Sequence, residues 1–73
     1  MVVEARLIKH RTEDGLMEFR EDIPLGKVYL VDLSTRRIWN GFNIEKRLFW
    51  RREMVQAIDG GWLPIELLDW PDN

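Results

Sequence analysis

The chain predicts an α+β domain: an antiparallel four-stranded meander, one helix in the C-terminal half and a docked tail. Three observations predict it. Apolar and charged residues alternate in residues 3–7 and 17–23, and an apolar run follows over 28–33, with turn-forming residues between them. A stretch opened by Asn43 and closed by Gly60-Gly61 sets Ile44, Leu48, Val55 and Ile58 on one helical face. The segment from Trp62 to Trp70 is too apolar to stay in water and must dock on the sheet or on another copy. The alternative architecture is a small SH3-like β-barrel, with residues 44–58 partly strand and the tail closing it.

The elements follow in order. Val3, Ala5 and Leu7 alternate with Glu4 and Arg6, the pattern of a half-buried strand. Asp14-Gly15 is a tight-turn dipeptide, after which Met17, Phe19 and Ile23 alternate with acids and Arg20 in a second strand. Pro24 to Gly26 makes the next turn. Residues 27–33 are apolar on both faces and read as a central strand. Ser34-Thr35 starts another turn, and Arg37 to Phe42 forms a fourth strand with Ile38 and Phe42 opposite Trp39. Gly41 weakens that strand and marks a bulge. Asn43 is a helix N-cap with Glu45 near the positive end, although Phe49 and Trp50 fall off the apolar stripe and a strand over residues 47–52 competes. Pro64 suits the first position of a short final helix, or else the tail is an edge strand.

Size and composition narrow the classes of function. Seventy-three residues make one small globular domain with a minimal core, and four Trp supply buried area. With no cysteine there is no disulfide, thiolate metal site or cysteine nucleophile. No apolar run reaches the roughly 18 residues of a membrane span, and no secretory leader is visible, so a cytoplasmic protein without a membrane partner is expected.

Catalytic constellations are sparse. The lone His10 and lone Ser34, with Asp32 beside the serine, lack the spacing of a nucleophile–base–orienter set. The pairs Glu13-Asp14, Glu21-Asp22 and Asp69 with Asp72 are what 13 acids in a short chain give by chance. No calcium loop, zinc spacing or phosphate loop is present. The expectation is a protein that is not an enzyme and holds no cofactor.

Charge patterning is the strongest functional lead. Between Arg36 and Arg52 lie six of the eleven cations and one acid, net +5, while residues 53–73 are net −5 and residues 1–35 net −2. Clustered charge of this kind selects partners. Arg36, Arg37, Lys46, Arg47, Arg51 and Arg52 could track a phosphate backbone, with Trp39 or Trp50 stacking on bases, or else contact another partner. Against this, Trp39, Phe42 and Phe49 are wanted for the core, and the C-terminal acids should fold back onto the basic stretch. Trp62 is expected to be buried, not to act as a peptide-like ligand with Ile65. Leu63, Ile65, Leu67 and Trp70 are candidates for self-association, since a small core without staples gains from a second copy. The expected function is a protein-interaction module, alone or as a homo-oligomer. The runner-up is an RNA- or DNA-binding accessory protein using residues 36–52.

Overall fold

The computed structural model describes residues 1–70; Asp72, one half of a carboxylate pair considered above, lies outside them. The α+β expectation is overturned, because residues 44–58 form no helix. The chain folds as β1 (Val2–Leu7), β2 (Val28–Asn43), β3 (Leu48–Ala57), β4 (Trp62–Pro64), a 3-10 turn (Ile65–Leu67) and β5 (Leu68–Asp69). The five strands form one antiparallel sheet in the order β4-β3-β2-β1-β5. Residues 48–57 are strand, and the tail returns to pair Leu68 and Asp69 with Leu7 and Arg6 at the edge of the sheet.

The helical stripe fails on burial. Of Ile44, Leu48, Val55 and Ile58, only Val55 is buried, and Ile44 is 79% exposed. Asn43 does cap, but it caps a hairpin. Its side-chain oxygen accepts the Lys46 amide at 2.9 Å, the same local bond a helix start would use. Arg47, at φ 50, then turns the chain back into β3. Gly60, at φ 101, does not stop a helix; it closes the β3–β4 turn, donating its amide to Ala57 O at 2.9 Å.

The expected third and fourth strands are one long strand. In β2, residues 33–36 stand opposite Val55 alone, between the pairs Asp32↔Gln56 and Arg37↔Met54. This bulge bends β2 between a first half that pairs with β1 and a second half that, among the described residues, pairs with β3 alone. Polar side chains stand in for the lost ladder. Thr35 Oγ1 donates to Asp32 O at 2.6 Å and accepts the Gln56 amide at 2.8 Å. Asp32 Oδ1 accepts from the Ser34 hydroxyl at 2.7 Å, the Ser34 amide at 3.0 Å and the N-terminal ammonium at 3.3 Å. Those bonds, the Ser34 hydroxyl foremost, hold the Asp32 carboxyl below its ordinary pKa.

The expected second strand is also absent. Residues 8–27 form a long loop with one bridge, Arg11↔Glu18, across the turn at Asp14-Gly15. The core comprises Ala5, Val31, Val55, Ala57, Leu63 and Leu68, with Phe19, Tyr29, Ile65 and Trp70 packed around it. Leu7, Met54 and Leu67 are also fully buried. The tail therefore docks on its own sheet.

Candidate functional site

The second half of β2 and the first half of β3 form a two-stranded ribbon. β1 pairs with β2 only over Val28–Asp32, and β4 with β3 only over Met54–Gln56. From Arg37 to Phe42 and from Leu48 to Glu53, each strand has only the other as a paired neighbour among the described residues. Alternation and register divide the ribbon into two faces. One carries Trp39, Gly41, Trp50 and Arg52; the other carries Ile38, Asn40, Phe42, Phe49, Arg51 and Glu53.

The first face is anchored. Trp39 and Trp62 pack against each other with ring centroids 5.3 Å apart, both half-buried. Trp62 is thus a partner in a half-exposed ring pair, not a buried core residue. Trp50 lies across Gly41, where there is no side chain to obstruct it. Arg52, with a side chain only 5% exposed, reaches Asp14 at 2.6 Å and Glu66 at 3.4 Å and sits 5.0 Å from the Trp50 ring. It ties β3 to the long loop and to the 3-10 turn. The Asp14 carboxyl is held below its ordinary pKa, chiefly by the Leu16 amide, then by the Thr12 hydroxyl, with Arg52 adding to both.

The second face is open. Phe42 and Phe49 are directly opposite in register, with ring centroids 4.6 Å apart, yet they are 49% and 80% exposed. Their expected place in the core is therefore corrected. β1 pairs with β2 only as far as Asp32 and β5 with β1 only at Arg6 and Leu7, so neither reaches the ribbon. Asn40 and Arg51 form the next pair on this face, and Ile38, also exposed, stands opposite Glu53 in the one beyond. An open groove of about 420 Å³ at this place is lined by Asn40, Gly41, Phe42, Phe49, Trp50 and Arg51.

The six cations of the basic stretch divide. Arg52 is neutralised as described, and the Glu66 contact is the expected return of a C-terminal acid to the basic stretch. Arg36 is bidentate with Glu53, its Nε 3.1 Å and its Nη2 3.0 Å from the carboxylate; this raises the Arg36 pKa. Arg37, Lys46, Arg47 and Arg51 are exposed, and no carboxylate among the described residues lies within 4.0 Å of them. Lys46 and Arg47 occupy the ribbon tip.

The remaining candidates are held in local structure. Leu63 and Leu67 are buried within the chain, and Ile65 and Trp70 are half-buried against the core. Ser34 bonds Asp32, and His10 Nε2 lies 2.6 Å from the Ile23 carbonyl oxygen. Among the described residues, no three His, Asp or Glu side chains converge as a metal site. No helix among them is long and apolar enough to cross a membrane.

Phe42 and Phe49 are the residues the sequence reading missed. The available signal was their placement: each lies one residue outside the Asn43–Leu48 pair that closes the turn, so a hairpin sets them opposite each other. Comparison with protein-family models, with curated proteins and with solved structures finds no match.

Proposed function

We propose that this protein is a non-enzymatic, cytoplasmic binding module whose contact surface is the β2–β3 ribbon, and that the ribbon takes an anionic partner. One observation carries the reading: beside an exposed ring pair stand Arg51 on the same face and Lys46 and Arg47 at the tip, and these three and Arg37, further back on the ribbon, have no carboxylate within 4.0 Å among the described residues. Free sheet edges and exposed apolar rings are aggregation hazards unless charge or a partner manages them. The rest of the molecule is net acidic, so a positive ribbon is a local feature that long-range attraction can use.

The test is retention on immobilised heparin at low salt. A chain of net charge −2 and pI about 5.3 should flow through if only its average charge counted. Retention is expected, with loss of it when Arg37, Lys46, Arg47 and Arg51 are all changed to Gln. Flow-through of the wild type at 50 mM salt would remove the proposal.

A second reading, a protein partner or a second copy held by apolar contact, is favoured by Ile38, Ile44 and Leu48, which are exposed along the same ribbon. Two ribbons stacked on each other would juxtapose like charges, which disfavours the homo-oligomer. Sedimentation at increasing concentration distinguishes a second copy from a different protein.

A further inference from the structure

We infer that the anionic partner is single-stranded nucleic acid, bound across the Phe42–Phe49 pair with its phosphates on Arg51, Lys46 and Arg47. The inference rests on the ribbon reading above and names its ligand.

Three features of the open face support it. Phe49 is 80% exposed and backed by Phe42, which gives a base a supported aromatic surface. Such stacking tolerates any sequence because every base offers a π-face. In the next register pair, Asn40 and Arg51 present an amide and a guanidinium on the same face. These groups can hydrogen-bond base edges or phosphates. Beyond the rings, Lys46 and Arg47 stand at the tip, so cations lie on both sides of the platform. Successive same-face residues of a strand are roughly 6.7 Å apart. That distance is close to the phosphate-to-phosphate stride of an extended single strand. The adjoining groove, about 420 Å³, falls within the roughly 300–1,000 Å³ of ordinary ligand sites.

A duplex fits less well, because its base faces are stacked inside and cannot reach the rings. An acidic protein would meet the cations, but it has no specific need for a bare ring pair flanked by an amide and a guanidinium.

Fluorescence anisotropy with labelled 15-mers of oligo(dT) and oligo(rU), and with a 15-bp duplex, tests the inference at 50 and 200 mM NaCl. Both single strands should bind more tightly than the duplex. The log–log salt slope should be about −2, the value for three neutralised phosphates. Phe49→Ala should weaken binding roughly tenfold or more. Its melting temperature should stay unchanged, since the ring is outside the core. Equal binding of duplex and single strand, or wild-type affinity in Phe49→Ala, overturns the stacking inference. Heparin retention without oligonucleotide binding overturns it too, but leaves the ribbon as the site of an acidic protein. Failure of both heparin and oligonucleotides to bind overturns the ribbon reading itself.

Discussion

The indole of Trp50 occupies the space that a Cβ on Gly41 would need, so these two cross-strand partners fit only because one has no side chain. Gly41 had suggested a bulge, but the bulge lies upstream and Gly41 is a seat for a ring. The ring in turn stands 5.0 Å from Arg52, which reaches the loop and the 3-10 turn. The base of the ribbon is therefore fixed to the rest of the molecule through Trp50 and Arg52, together with the Trp39–Trp62 ring pair.

Gly41→Ala should accordingly displace Trp50 and cost about 1–3 kcal/mol, the usual range for overpacking. Thermal unfolding measures the cost, and tryptophan emission should shift red as the indole becomes wetter. An unchanged melting temperature and spectrum would show that the ring does not rest on the glycine.

Arg47 carries a left-handed φ of 50 that glycine adopts without strain. Arg47→Gly should stabilise the protein by about 1 kcal/mol, since a side chain in that conformation costs roughly 1–2 kcal/mol. The same change removes a tip cation and should lower the salt concentration needed for heparin elution. Stability and binding moving in opposite directions would identify Arg47 as a residue kept for its charge. A fall in melting temperature would contradict the account of the turn.

Much of the sheet was legible in the sequence because local chemistry and tertiary role coincide there. Val3, Ala5 and Leu7 alternate toward one side, and Leu63 to Trp70 is too apolar to leave undocked. Residues 44–58 misled because Asn43 bonds the Lys46 amide in the same way at a hairpin as at a helix start. The deciding fact, pairing of β3 with β2 and β4, is non-local. The site was half legible. The charge clustering was visible, but its division into paired Arg36 and Arg52 and Arg37, Lys46, Arg47 and Arg51, which have no partner among the described residues, depends on acids as distant as Asp14 and Glu66. The exposure of Phe42 and Phe49 is a property of the tertiary structure, since the ribbon runs beyond the last β1–β2 pair, Val2 with Asp32.

Leu67→Asp should unfold the chain, not change its association state. The residue is fully buried, and an unpaired charge there should cost on the order of 4 kcal/mol, close to the whole stability of a small domain. Circular dichroism and sedimentation together give the answer. A folded variant of unchanged secondary structure and lower mass would restore the tail as a self-association surface.

Acid should loosen the long loop and the β2 bulge together. Asp14 and Asp32 have folded pKa values below the ordinary carboxyl value of about 3.9. Their contribution is therefore fully present above that value and is lost as pH falls through the lower folded values. Melting temperature should fall below about pH 4, and Asp14→Asn should flatten part of that fall. A wild-type melting temperature that rises between pH 4 and pH 2 would contradict the assignment.

The central claim, that the ribbon is the anionic contact surface, is tested most directly by amide chemical-shift mapping during titration with a heparin tetrasaccharide. The account predicts that shifts concentrate in residues 37–51, with Phe49, Arg51 and the tip amides of Lys46 and Arg47 moving most. Strands β1, β4 and β5 should stay still. Shifts centred on those three strands, or no shift at millimolar tetrasaccharide, would contradict it.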